Sequence, residues 1–419
     1  MRVEQRGGSI SGADHQMKAS AMKFSFVISD FSEQTITALP WKYVYELAKK
    51  LGQKECEVQI ITDGSAHEPR VKGVSIRRVF KTRQPPTFSP IMNPRQVDSA
   101  IEEFSPDLVC LFGDPLSGYF VRRLRNKTPT LVNVSKGIHP MRRLHFSPYF
   151  HFLNSPMGRL VVRLLNQRKI LAITVPTLTI KSSLRNCGVN KKIVVLPMAF
   201  DKKLCKRGAV DLDKSEAKEE LGFSKRDCIV AYFGPPYVKR GVTDLVRAIA
   251  YLKEFPVKLL LLLRQSRRHE SQEVNSIKRL ALKLGVADRI TLVVSVLSRG
   301  KLIRHLESSD IIALPFRYVD EEPPLGLLEA MALGKPVIAT NVDSLPEIVG
   351  RNRGILVRPG SVSDLAKAIH HLFKHPDEAS SMAFEGIKYA KSLGDWDDLA
   401  DCFLHLVEES SGRVSHPGL

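Results

Sequence analysis

From Met22 onward the chain changes period again and again, from short apolar runs to helical spacing and back, in two series separated by one polar stretch. The first series opens with Met22-Lys-Phe-Ser-Phe-Val-Ile-Ser29 as a strand. From Pro40 to Leu51 the residues Trp41, Val44, Tyr45, Leu47, Ala48 and Leu51 share one helical face. Val58 to Thr62, Leu108 to Phe112 and Thr130 to Val134 read as further strands. Such alternation predicts parallel strands joined by helical crossovers, a doubly wound α/β sheet. Asp201 to Asp213 is polar without a clear period and is read as the linker. The second series then gives strand 228–233, helix 242–254, strand 257–263, helix 272–284, strand 289–294, helix 300–308, strand 311–314, helix 324–333 and strand 337–340. At 419 residues there is chain enough for two cored domains. Two Rossmann-like domains are expected, 22–205 and 206–395, with a cleft at the carboxyl ends of their strands.

One predicted helix carries a carboxylate in an unusual place. In Pro324-Leu-Gly-Leu-Leu-Glu329-Ala-Met-Ala-Leu333 every side chain except that of Glu329 is apolar or absent. Pro323-Pro324 suits the opening of a helix, and Gly334 with Pro336 suits its close. A helix apolar all round is buried, and a carboxylate on it costs several kcal/mol unless something hydrogen-bonds it. A neighbouring Arg would do so, and so would the hydroxyls of a sugar or ribose. Eight residues upstream lies Glu321, with Glu322 beside it, after the strand Ile311-Ile-Ala-Leu-Pro315.

Glu321, seven residues, then Glu329-Ala-Met-Ala-Leu-Gly-Lys-Pro-Val337 resembles the donor-site signature of retaining GT-B glycosyltransferases, most closely glycosyltransferase family 4. Tyr232-Phe-Gly-Pro-Pro-Tyr-Val-Lys-Arg240-Gly241 resembles that family's diphosphate-gripping loop. Thr174-Val-Pro-Thr through Lys192-Ile-Val-Val-Leu-Pro-Met198, then Pro346-Glu347 and Arg353 to Val357, match further landmarks. Trp396 resembles the aromatic that opens a last helix, 396–411, crossing back to the first domain. The resemblance implies a GT-B fold of two Rossmann-like domains facing a cleft. It also implies a nucleotide-diphosphate sugar as co-substrate, no other cofactor, and transfer with retention. It assigns Glu329 to the ribose and the upstream acid to the donor sugar. By spacing that acid is Glu321, though Glu322 could swing in.

The residues themselves support a phosphate grip. A Gly-bounded turn, Gly234 to Gly241, between a strand and a helix aims backbone N–H groups and a positive helix end at an anion. Lys239 and Arg240 add charge, and an Arg fork suits phosphate oxygens. Leu325 and Gly326 offer N–H groups at the next helix start. The chain also departs from the family pattern. Pro235 stands where the family has Arg, and Arg240 where it has Lys. Pro324 replaces a Gly, no Gly-Gly pair occurs between Ser32 and Leu39, and Ser135 stands where the family has a His, with His139 the candidate substitute. No metal-ligand spacing is evident, and no metal is expected.

Charge is uneven. The net charge is +19, with 32 basic and 15 acidic residues in 1–205 against 31 and 29 in 206–419. Pro115 to Phe200 holds 15 basic residues and no acid. The first half therefore suits an anionic acceptor, polyprenyl-linked or phosphorylated, or the cytoplasmic face of an anionic membrane. Its aromatics form no stacking platform, so no nucleic acid is expected. Ser155-Pro156 begins a basic amphipathic helix with Met157, Leu160, Val161, Leu164 and Leu165 on one face. That face suits packing on the first sheet, the preferred reading, or a bilayer. Residues 1–21 lack the apolar core of a signal peptide and read as a disordered tail or an early start ahead of Met22. Six cysteines without Cys-x-x-Cys fit a reduced, cytoplasmic protein. Two rivals to a glycosyltransferase stay open: a non-catalytic GT-B partner, motivated by the missing Gly-Gly and His, and a sugar-nucleotide epimerase.

Overall fold

The computed structural model describes residues 22–63, 69–80, 92–138, 148–196, 198–208, 214–264, 270–319 and 322–410. The first sheet comprises β1 (Lys23–Val27), β2 (Glu57–Thr62), β3 (Val74–Arg78), β4 (Leu108–Gly113), β5 (Thr130–Val134), β6 (Ile170–Val175) and β7 (Ile193–Val195). Its order is β3-β2-β1-β4-β5-β6-β7, all parallel. The second sheet comprises β8 (Cys228–Gly234), β9 (Val257–Leu263), β10 (Ile290–Val294), β11 (Ile311–Leu314), β12 (Val337–Thr340) and β13 (Gly354–Val357). Its order is β10-β9-β8-β11-β12-β13, also parallel. Strands with helices on both sides are buried on both faces, hence the unbroken apolar runs. In β9 every residue from Leu259 to Leu263 is buried.

Both sheets face one another through their carboxyl ends. The Glu322 N–H, beyond β11, donates to the Ser135 carbonyl beyond β5 at 2.9 Å. The last helix, Trp396–Ser410, leaves the second half and packs on helix Trp41–Gln53 of the first. There Phe403 meets Phe24 and Phe26 edge-on at 5.6 and 6.1 Å, and Trp396 meets Tyr43 at 6.4 Å. Lys50–Asp397 and Lys54–Asp401 ion pairs at 2.8 and 2.7 Å edge that seam.

One expectation gains detail and one needs correction. Within 201–213, the stretch read as the linker, Lys203–Gly208 is helical and buries Leu204 and Cys205. Two adjacent apolar residues are enough to seat one turn, too few to show a period. The helix after Ser155, Pro156–Val162 with a tighter turn over Arg163–Asn166, packs inward on Gly158, Val162 and Leu165. Met157 and Leu160 stay 60% and 58% exposed. The cause is Gly158, where a Cβ would lie 1.9 Å from the Phe152 carbonyl oxygen, so only a bare backbone fits that close approach. No helix among the described residues is long and apolar enough to cross a membrane.

Candidate donor site between the sheets

Each sheet reverses its winding once, between β1 and β4 in the first and between β8 and β11 in the second. Loops leaving those strand pairs part in opposite directions and open a crevice, the usual ligand position in such sheets. Gly234 to Gly241 leaves β8 at this point, and the segment from Pro315 onward leaves β11 beside it.

The first turn is tightly built. The Tyr232 hydroxyl donates to the Pro235 carbonyl at 2.8 Å, and burial pushes that phenol's pKa far up. Val238–Arg240 forms one tight turn ending at Gly241, whose φ is +69°. A Cβ on Gly241 would lie 1.9 Å from the Pro315 carbonyl oxygen, so glycine is required for both its dihedral and its contact. Helix Val242–Ala250 starts at once, with its positive end beside the turn. The Arg240 guanidinium lies 4.5 Å from the Phe316 ring centroid. Its Nε is buried and has no hydrogen-bond partner among the described residues. Lys239 Nζ stands 5.2 and 5.7 Å from the rings of Tyr237 and Tyr318.

The second element is the helix Leu325–Ala332, opened by Pro324 and buried through Leu327, Leu328, Ala330, Met331 and Ala332. Its end is closed by Gly334 N–H to Met331 and Lys335 N–H to Ala330, at 3.0 and 3.1 Å, with Gly334 at φ +65°. Lys335 is buried and donates to the Glu307 and Ser309 carbonyls, each at 2.8 Å. Leu325 and Gly326 are half-buried at the helix start, and a Cβ on Gly326 would touch the Phe233 ring at 3.0 Å.

Glu329 leaves this helix with its side chain 14% exposed. It accepts from Arg299 Nη1 at 3.1 Å and stands 3.9 Å from Lys42 Nζ, a residue of the opposite half. Its charge is thus met by a neighbouring Arg, as one sequence reading foresaw, and by a Lys that sequence reasoning missed. Burial pulls the Lys42 pKa below its ordinary value, with Glu329 acting in the other direction.

Glu322 is fully buried and lines a pocket with Leu39, Pro40, Tyr43, Asn133, Ser135, Pro176, Leu196 and Met198. It therefore lies against the first sheet's strand ends. Glu321 and His139 fall outside the described residues. The structure sets Gly234 at the end of β8, brings Lys239, Arg240 and Gly241 into the turn that follows, and sets Leu325, Gly326 and Glu329 on one helix. Among the described residues no group of three or more His, Cys, Asp or Glu converges as a metal site. Sequence reasoning also missed Phe316, Arg317, Arg299 and the role of Glu347. Of these only Pro346-Glu347 carried a local signal.

Comparison with known proteins agrees with this geometry. The family description "Glycosyltransferase Family 4" matches residues 41–204, and "Glycosyl transferases group 1" matches 213–389. An MMP alpha-(1->4)-mannosyltransferase of Mycolicibacterium hassiacum is 28% identical over 45% of this chain and 45% of its own length. A D-inositol 3-phosphate glycosyltransferase of Mycobacteroides abscessus is 31% identical over 46% of this chain and 42% of its own. The chain thus spans under half the length of these curated relatives. Sucrose-phosphate synthase from Thermosynechococcus elongatus superposes with TM-score 0.75 at 20% identity, over 94% of this chain and 100% of that one. Anabaena HepE in complex with UDP superposes with TM-score 0.72 at 17% identity, over 93% and 100%. By its two facing parallel sheets and by both family matches, the chain is a GT-B protein resembling glycosyltransferase family 4.

Proposed function

We propose that the chain is a glycosyltransferase that moves a sugar from a nucleotide-diphosphate sugar to an acceptor with retention of configuration. The observation that carries this reading is that an Arg-bearing Gly turn leaving β8 and the helix of a shielded carboxylate, whose Gly326 packs on Phe233 of β8, both stand at the β8–β11 switch point. In this reading Arg240, Lys239 and the start of helix Val242–Ala250 face the diphosphate. The N–H groups of Leu325 and Gly326 add to them. Negative charge grows on the leaving nucleoside diphosphate, and preorganised cations and a helix end stabilise it without reorganisation. The reading therefore calls for no metal ion. Glu329 takes the ribose hydroxyls, displacing Arg299, and Glu321 or Glu322 with His139 completes the sugar side.

The acceptor is read as anionic and bound by the half spanning 22–205. The acid-free run from Pro115 to Phe200 supports this, as do relatives whose names specify a phosphorylated inositol. The same run, with Met157 and Leu160 exposed beside Arg159, supports peripheral contact with the cytoplasmic face of an anionic membrane.

The test is incubation with UDP-, GDP- and ADP-sugars and a panel of phosphorylated or polyprenyl-phosphate acceptors, with products read by mass and by NMR at the anomeric carbon. A glycosylated acceptor with the donor's anomeric configuration is expected. Donor binding without product from any acceptor would favour the partner reading. Conversion of the sugar nucleotide without acceptor would favour the epimerase.

A further inference from the structure

We propose that Phe316 and Arg317, which leave the carboxyl end of β11, are positioning residues that pre-set Arg240 for the donor diphosphate. The inference rests on reading Arg240 as a phosphate-binding group. It goes beyond that reading by saying what holds the side chain ready.

The backbone of the turn is clamped from one side by Arg317, whose own N–H donates to the Lys239 carbonyl at 2.8 Å. Its guanidinium reaches past the turn to Asp244, with Nε at 3.2 Å from Oδ2 and Nη2 at 3.0 and 3.1 Å from Oδ1 and Oδ2. Asp244 is 4% exposed and sits in the first turn of the helix that follows. One residue thus ties the turn to the helix whose positive end it precedes. Gly241, wedged on the Pro315 carbonyl, removes slack from the same contact.

The side chain of Arg240 is placed by the next residue along. Phe316 is 3% exposed, and its ring faces the Arg240 guanidinium at 4.5 Å. Stacking uses the face of the guanidinium and leaves its N–H edge for an acceptor. At that edge Nε is buried and has no hydrogen-bond partner among the described residues. An Arg held this way loses less rotamer freedom on binding than one released from solvent. Asp244 meanwhile occupies Arg317 and Arg247, so neither is spare for phosphate in this arrangement.

The experiment is a double-mutant cycle read by calorimetry with UDP, GDP and ADP, each against its nucleoside. Phe316→Leu keeps apolar volume and removes the ring; Arg317→Gln removes the guanidinium tie to Asp244 and keeps the backbone hydrogen bond to Lys239; each is made alone and with Arg240→Ala. Each single variant is expected to weaken the bound diphosphate about twofold to thirtyfold while leaving nucleoside affinity unchanged. In the Arg240→Ala background the same substitutions should add little, because the group they position is gone. Equal losses with and without Arg240, or equal losses for nucleoside and diphosphate, would overturn the inference while leaving the phosphate role of Arg240 intact. Undiminished diphosphate binding by Arg240→Ala, or no diphosphate binding by the parent, would overturn that role and the inference with it.

Discussion

Glu347, beyond β12, caps a helix of the opposite half at Thr179. Its Oε2 accepts from the Thr179 N–H at 2.9 Å and from the Thr179 hydroxyl at 2.8 Å, while Oε1 accepts from the Leu178 N–H at 2.9 Å. The carboxylate thus satisfies the orphan donors of helix Leu178–Asn186 and meets its positive end. Arg353 braces it from behind by donating to the Glu347 and Ile348 carbonyls at 3.2 and 2.7 Å. This contact fixes the approach of the two halves on one flank of the crevice.

Hydrogen bonds to a charged partner contribute about 1.5–3 kcal/mol each and are not additive. Glu347→Gln should therefore cost about 1–3 kcal/mol of stability. In a cycle with Thr179→Val on denaturant unfolding, a coupling of about 0.5–3 kcal/mol is expected. Zero coupling would show that the pair does not act across the halves.

Gly241→Ala should damage the turn after β8 more than its size implies. A left-handed backbone costs a non-glycine residue roughly 1–2 kcal/mol, and here the new Cβ also meets the Pro315 carbonyl. A loss of at least about 2 kcal/mol in stability, with weakened diphosphate binding, is expected from calorimetry and denaturation. A variant as stable as the parent would contradict the tight contact.

Lys42 gives a prediction in pH. Burial lowers its folded pKa below the ordinary 10.5. Between that lowered pKa and 10.5 the unfolded chain holds a proton that the folded chain has released. Stability contributed by this group then rises with pH across the window. Below the window the charged form is the disfavoured one. Stability of the parent minus that of Lys42→Met, measured without nucleotide, should climb through this alkaline range. A difference that falls with pH there would mean that the pairing with Glu329 outweighs burial.

Membrane contact is tested on the exposed patch. Each basic residue near an anionic leaflet contributes about 1 kcal/mol, an attraction that salt screens. The acid-free run offers Arg142, Arg143, Arg159 and Arg163 for this contact, of which Arg142 and Arg143 lie outside the described residues. Arg159 and Arg163 are both exposed, and Arg163 Nε donates to the neutral Cys187 carbonyl at 3.1 Å, which leaves its charge in place. Co-sedimentation with anionic vesicles should fall with salt and fall again in Met157→Ser/Leu160→Ser. Equal binding to neutral and anionic vesicles would leave the basic half to a soluble acidic acceptor.

Much of this architecture was legible because parallel strands buried on both faces announce themselves. β9, β11 and β12 have the bounds read from their apolar runs. β3 escaped notice because Val74-Ser-Ile-Arg-Arg78 is a half-exposed edge whose charges mask its alternation. Glu329 was conspicuous as one charge on an apolar helix. Its partners were not, since Lys42 and Arg299 reach it from distant segments and sequence spacing carries no trace of that meeting. The same holds for Glu347 and Thr179, 168 residues apart. Phe316, just past the strand read to Pro315, carried no signal of its own, although its place beside Arg240 follows from β8 and β11 being neighbours.

The most direct test of the account is titration of nucleotide sugar into Glu329→Gln. The amide keeps the shape of the carboxylate and offers a weaker, uncharged acceptor to the ribose. The variant should stay folded and lose about five- to thirtyfold in donor affinity, the difference between a charged and a neutral hydrogen bond. Donor affinity equal to that of the parent would contradict the donor site at its centre.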